Sequence, residues 1–284
     1  MGLVVVVGGA NVDVKARTTA PLVAATSNPG TVMRTPGGVG RNVAENLARL
    51  GSRVALVSTV GSDPDGDWLL ELTAAAGVDV SPVLRGGQTG RYVAVLGADG
   101  DLVAGVSDMA ATDAITPEVL DHDLLRSAAL VVVDGNLPAT TVDAVLALGV
   151  RVVIDPVSVA KARRISPLLR DTRPVFAITP NEDELAAMGS VSELHARGVE
   201  VVWVRRGRNG SMLSTPDGEV VLTAPHVSPV DVTGAGDAML AAFCHRVLAG
   251  DTLADAAAYG HDAAALTVTS PHTVVPDLRD RMGP

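Results

Sequence analysis

Short, β-branched apolar runs recur along the chain at Leu3–Val7, Val54–Val57, Leu130–Val133, Val152–Ile154, Val175–Ile178 and Val201–Val204, separated by stretches rich in Ala and Leu. Unbroken runs of this length suit strands covered on both faces, and the stretches between them suit crossover helices. The alternation therefore predicts an α/β fold, a mostly parallel sheet flanked by helices. No internal repeat, low-complexity tract or linker interrupts it, so residues 1–284 read as one domain.

Two segments break the rhythm. Thr89–Gly97 and Leu102–Val106 read as two strands joined by Ala98-Asp-Gly-Asp101, a turn containing the strong hairpin signal Asp-Gly. Residues 12 to 35 carry Thr, Pro, Ser and Gly between short extended pieces and cannot form a long helix. Together, about 12–35 and 89–106 predict a small β lid over one edge of the main sheet.

Composition narrows the function classes. A hydrophobic content of 47% is that of a globular chain, and no run approaches the eighteen or so apolar residues of a membrane span. Met1 to Asn11 lacks a basic region and a cleavage site and reads as a first strand rather than a signal peptide. The single cysteine, Cys244, excludes an internal disulfide framework and fits a reducing cytoplasm, where it reads as a small core hydrophobe. A net charge of −10 with only two each of Phe, Trp and Tyr argues against nucleic-acid binding. Any anionic ligand must then be held by local devices: amides, a few arginines and a divalent metal.

Two Gly-rich sites supply such devices. Asp231-Val-Thr-Gly-Ala-Gly-Asp237 precedes the apolar helical run Ala238 to Gly250, which puts Asp237 in the first turn of a helix. Free N–H groups at that terminus, with the small Gly234, Ala235 and Gly236, can seat a phosphate beside the Asp237 carboxylate. Taken alone, the same residues also read as an ordinary capped helix after a tight turn. Thr35-Pro-Gly-Gly-Val-Gly-Arg-Asn42 similarly opens a helix, which Gly51 closes, and Asn42 offers both a donor and an acceptor to a polyhydroxy ligand. Neither site is a dinucleotide fingerprint, because Val43 and Met239 stand where the third glycine belongs, and no P-loop is present. Asp63-Pro-Asp-Gly-Asp67 is similar to a calcium loop but has Ala74 at the position of the bidentate glutamate, so a helix start before Trp68 is the better reading. The histidines have no zinc-like spacing.

The pair of Gly-rich sites, in this order, resembles the two signatures of the ribokinase-like (PfkB) carbohydrate kinases. Asn11 and Asp13 after the first run, Thr179-Pro-Asn-Glu-Asp-Glu184 and Gly207-Arg-Asn-Gly210 extend the resemblance over nearly the whole chain. Within the family, Thr26-Ser-Asn-Pro-Gly30, the wording from Gly37 to Gly51 and Asp155-Pro-Val-Ser-Val-Ala-Lys161 are most similar to the pseudouridine kinases.

The resemblance implies roles. Asp237 would be the base for the acceptor hydroxyl, with the amides of Gly234, Ala235 and Gly236 holding charge on the transferring phosphoryl group. An aspartate at its ordinary pKa of about 4 is a weak base for an alcohol, which a loose transition state tolerates. Asn11, Asp13, Gly37, Gly38, Asn42 and Lys161 would bind substrate, Lys161 otherwise being a solvated helix charge. Asn181, Arg205, Gly207, Gly210, Thr233 and Gly236 would bind the nucleotide. Arg205 is a departure, standing where relatives usually carry threonine, and would meet a phosphate or point to solvent. Asn181 and Glu184 would steady Mg2+ through water or, structurally, simply start a helix. Asp231 and Thr233 would hold K+.

The expected activity is ATP- and Mg2+-dependent phosphorylation of the ribose 5′-hydroxyl of pseudouridine, with no nucleic acid or membrane as partner. Another kinase of the family, for ribose, adenosine or another sugar or nucleoside, and a non-catalytic sensor remain open alternatives. A cytoplasmic homodimer paired through the lid is expected.

Overall fold

The computed structural model describes residues 2–283. The six apolar runs all become strands of one eight-stranded sheet. Its order is Gly218–Leu222, Ser211–Thr215, Val199–Arg205, Val175–Ile178, Val152–Asp155, Leu130–Asp134, Val4–Val7, Val54–Val57. The pairings from Val199–Arg205 to Val54–Val57 are all parallel. The first two strands in that order form an antiparallel hairpin that the apolar runs did not predict. Gly218–Leu222 lies at the sheet edge and is mostly exposed, so it lacks the continuous apolar signature of its neighbours. The Asp217-Gly218 dipeptide was the available signal.

Alternation along the first strand shows why both faces are apolar. Val4 and Val6 enter a core shared with the helices Val39–Arg49 and Ala235–Ala249, whereas Val5 and Val7 enter one shared with Ala139–Ala147 and Val159–Ile165. All four valines are fully buried, each contributing about 1.5–3 kcal/mol of hydrophobic stabilisation. Cys244 is buried in the first core, where burial pushes its thiol up to about 12.

The segments outside the α/β rhythm form a separate four-stranded sheet, ordered Gly30–Gly37, Asn11–Thr18, Gly90–Leu96, Leu102–Asp108. Its central pair is parallel and the outer pairings are antiparallel. Val32, Met33, Val103 and Val106 of this sheet are exposed. It is tied to the main body by ion pairs: Lys15 lies 3.1 Å from Asp231, and Arg34 and Arg91 each lie 2.8 Å from Asp65. Asp63 caps the helix Pro64–Ala75, as the reading of that turn required. Among the described residues, no helix is long and apolar enough to cross a membrane.

The parallel strands deliver Asp134, Asp155 and Arg205 at their carboxyl ends, with Gly8 to Ala10 and Thr179 to Asn181 in the loops just beyond. Open α/β sheets bind ligands at this end.

Candidate active site

The helix Ala235–Ala249 starts without any side-chain cap. Gly234 at its N-cap has φ 81°, and a Cβ there would lie 2.2 Å from the Thr273 carbonyl oxygen, so only glycine makes this turn. The uncapped terminus stands between two cavities. Thr233, Gly234 and Asp237 line the first, of about 350 Å³; Ala235 and Gly236 line the second, of about 740 Å³. One helix terminus thus borders both, although the Ala235 amide already donates to the Val232 carbonyl at 3.3 Å and so is not free as the sequence reading expected.

Asn11, Asp13, Gly38 and Asn42 also line the first cavity. Asn11 and Asp13 do leave their strand on the same side, Asn11 Nδ2 donating to Asp13 Oδ1 at 2.7 Å. Burial raises the Asp13 carboxyl, opposed by that hydrogen bond and by Lys15 and Arg41. Gly37 is not in the wall but beneath Asp13, where a Cβ would come within 2.3 Å of Oδ2. Asn42 differs from expectation: its amide is already committed, Nδ2 donating to Asp237 Oδ2 at 2.8 Å and Oδ1 accepting from Arg41 at 2.8 Å. None of residues 26–30 lines the cavity; they form a mostly exposed connection that ends where the strand Gly30–Gly37 begins.

Lys161 neither reaches the cavity nor points to solvent. It is half-buried and donates to Asn136 Oδ1, and Asn136, not Lys161, is in the wall. Burial lowers the Lys161 pKa, partly offset by Asp134. Asp134, fully buried, ties the region together. Its Oδ2 accepts from the amides of Gly9 and Gly40 at 3.0 and 3.2 Å, and its Oδ1 from the backbone and side chain of Asn136 at 2.8 and 2.6 Å. Besides Gly9 and Val39, the wall includes Tyr92, Met109, Thr112, Asn136 and Val157. Sequence reasoning missed these because they come from segments far apart in the chain, at Tyr92, at Met109 and Thr112, at Asn136 and at Val157. Val157 is an outlier, a β-branched residue at φ 66°, held by donation to Asp155 Oδ1 at 2.9 Å.

The electrostatics of Asp237 overturn the expectation of an ordinary carboxylate. Burial, with the nearby Asp155 and Asp134 carboxylates, pushes its pKa up to about 8 against the opposing Asn42 hydrogen bond and Arg205 charge. A base near neutral pKa is much better matched to proton removal at physiological pH than one at 4.

The second cavity is lined by Asn181, Arg205, Gly207 and Gly210, with His226, Val232, Met239, His261 and Val268 among the remainder. Arg205 neither points to solvent nor waits free for a phosphate. Its Nη1 and Nη2 donate to the two Asp155 oxygens at 3.0 and 3.1 Å, and Nη2 lies 3.7 Å from Glu184 Oε2. It also packs directly under Gly236, where a Cβ would approach Nη1 to 2.9 Å. These two carboxylates raise the Arg205 pKa against the cost of burial. Asn181 and Glu184 form a complete capping box for the helix Glu182–Met188: Asn181 N donates to Glu184 Oε2 at 2.9 Å, and Glu184 N to Asn181 Oδ1 at 2.8 Å. The structural reading of this pair is therefore real, and any metal role must be added to it. Burial raises the Glu184 carboxyl, opposed by the cap and by Arg205. Asp231 is engaged too, by Lys15 and by the Thr233 amide at 2.8 Å.

Glycines and amides converging on a helix terminus between two cavities, with a carboxylate on one side, match a phosphotransferase for an alcohol acceptor. Residues 1–280 match the pfkB family of carbohydrate kinases. The chain belongs to that family. An uncharacterized sugar kinase of Escherichia coli K12, YeiI, is 36% identical over 94% of this chain and 78% of its own. The pseudouridine kinase of the same organism is 32% identical over 97% of this chain and 93% of its own. A carbohydrate kinase from Agrobacterium tumefaciens superposes with a TM-score of 0.88 at 30% identity, covering 99% of this chain and 96% of the other. As a pfkB kinase the protein is a phosphotransferase acting on hydroxyl groups, and kinases of this family use ATP. The identities to these relatives do not separate pseudouridine from other sugar acceptors.

Proposed function

We propose that the protein transfers the γ-phosphoryl group of ATP to the 5′-hydroxyl of pseudouridine, giving pseudouridine 5′-phosphate and ADP. The observation that carries the reading is the single helix terminus shared by both cavities. The acceptor lies in the smaller cavity, where Asp13 and Asn11 accept and donate to ribose hydroxyls. Its primary hydroxyl faces Asp237, whose Oδ1 makes no hydrogen bond among the described residues and takes the proton. ATP lies in the larger cavity, its base toward the His261 and Val268 side and its phosphates over Gly207, Gly210 and the amide of Gly236. That amide, fixed before substrate arrives, stabilises the charge that spreads over the transferring group.

Magnesium fits the second cavity as an ion held chiefly by phosphates and water. Among the described residues no cluster of three or more His, Cys, Asp or Glu side chains stands ready to bind a metal, and Glu184 with Asn181 would contribute through water. Such an ion neutralises phosphate charge. A potassium ion fits less well, because Lys15 already faces the Asp231 carboxylate, and no step is assigned to it.

The four-stranded sheet acts as a lid that excludes water from the transfer, and its exposed Val32, Met33, Val103 and Val106 pair with a second copy in a cytoplasmic homodimer. The 1–284 chain works as one domain with this lid.

Incubation with ATP and a panel of pseudouridine, uridine, adenosine, ribose and fructose, read as ADP formed, tests the assignment. Pseudouridine is expected to have the highest kcat/KM. Ribose or adenosine in that place would move the protein to another branch of the family, and binding of acceptor and ATP without ADP would make it a sensor.

A further inference from the structure

Arg41, between the glycines of the first motif and Asn42, has no role in the reading so far, yet its side chain is only 2% exposed. Burying a guanidinium so fully is costly unless its donors are used. Here they are. Nε donates to Thr73 Oγ1 at 3.2 Å, Nη2 to Glu45 Oε2, and Nη1 to Asn42 Oδ1 at 2.8 Å. Thr73 is itself fixed by donating to the Leu69 carbonyl at 2.6 Å, and Glu45 is held from the other side by Arg49 at 3.0 Å.

A guanidinium has donors only, whereas a side-chain amide has two ends that differ in kind. Arg41 therefore admits only the oxygen of Asn42 on its side, which forces Nδ2 toward Asp237. We infer that Arg41 is a positioning residue for phosphoryl transfer: it fixes the Asn42 amide so that Nδ2 anchors Asp237 Oδ2 and leaves Oδ1 to the acceptor hydroxyl. Thr73 and Glu45 fix Arg41 in turn, so the helix Val39–Arg49 supplies a rigid strut behind the base. The inference rests on Asp237 being the base.

The electrostatic surroundings are consistent with this. Besides Asn42, Asp237 is faced by the carboxylates of Asp155 and Asp134 and by Arg205, and Arg41 by Glu45, Asp13, Arg49 and Asp237 itself. Loss of Arg41 removes a cation from this set and frees the amide to turn its oxygen toward Asp237. Both changes raise the proton affinity of the base.

The test compares R41M and R41K with the native chain, measuring kcat, both KM values and the pH profile of kcat/KM. In R41M, Glu45 keeps Arg49, so no carboxylate is stranded. We expect kcat to fall on the order of 100-fold, as for a misplaced catalytic group, with the KM for ATP unchanged and the acid-side limb moved to higher pH. R41K keeps the charge but cannot reach Asn42, Thr73 and Glu45 from one nitrogen, and is expected to lose roughly tenfold in kcat with a smaller displacement of the limb. Should R41M not fold, R41K alone decides. A native kcat in the folded variants overturns the inference, and so does a loss of kcat with an unmoved limb, which is what a merely structural arginine would give. Failure of the base assignment is recognised separately: D237N would then retain turnover.

Discussion

Replacing Asp237 by Asn removes one ionisable proton from the site and little else, since an asparagine oxygen can still accept from Asn42. The carboxyl rises from 3.8 to about 8 in the folded protein. A group whose folded pKa is raised holds its proton more tightly in the native state than in the unfolded one. Between pH 4 and 8 its ionisation therefore works against folding, and stability falls as pH rises. At about 1.36 kcal/mol per pH unit, the penalty has a ceiling of about 6 kcal/mol once pH exceeds 8 and about 4 kcal/mol at pH 7. Asp237 is only half-buried and opens on a cavity, so water screens much of this, and ~1–3 kcal/mol at pH 7 is the expected size. D237N should thus be more stable than the native chain, by an amount that grows from pH 5 to pH 8, while kcat falls by roughly 100-fold or more. Urea unfolding of both proteins at pH 5, 6, 7 and 8 gives the difference directly. Parallel pH dependences for the two proteins, or a D237N chain less stable at pH 8, would refute the claim that burial and the neighbouring carboxylates perturb this group.

Further predictions address the surroundings. For the native enzyme, kcat/KM for the acceptor should climb about tenfold per pH unit toward a plateau near pH 8 as Asp237 loses its proton; a flat profile between pH 6 and 9 would count against it. R205M strands the buried Asp155 carboxylate and should cost about 3–5 kcal/mol in urea unfolding while raising the KM for ATP, whereas native stability would mean that the bidentate pair does not form. With Lys15 at Asp231, replacing K+ by tetramethylammonium should leave the rate unchanged; a potassium requirement would show the ion displacing the lysine. V32E/M33E should convert a dimer to a monomer in light scattering, and a monomeric native chain would remove the lid-to-lid pairing.

How much of this was legible in the sequence depends on where the signal lies. The buried parallel strands announced themselves because both faces are covered, leaving unbroken runs such as Val4 to Val7. The edge hairpin Ser211 to Leu222 did not, since one of its strands faces water and only its turn residues mark it. The glycines and Asp237 were legible because a glycine-rich helix start has a local spelling. Asn136, Tyr92 and Val157 were not, because they meet only when loops after two main-sheet strands come up against a strand of the four-stranded sheet. Lys161, Arg205 and Glu184 were named from their positions, but their partners are set by tertiary contacts: Asn136 for the first, Asp155 for the second, a helix cap for the third. Asp134 and Asp155 could have been suspected, as carboxylates closing otherwise apolar strands.

Val157 carries one more consequence. A β-branched side chain in the left-handed region costs on the order of 1–3 kcal/mol, and glycine would adopt the same turn without that cost. The wall of the smaller cavity is therefore a place where the protein forgoes thermal robustness to keep a methyl-bearing surface. Selection for heat resistance alone would be expected to find glycine at 157, and the enzyme that emerged would be sturdier, with a cavity wall stripped of two methyl groups.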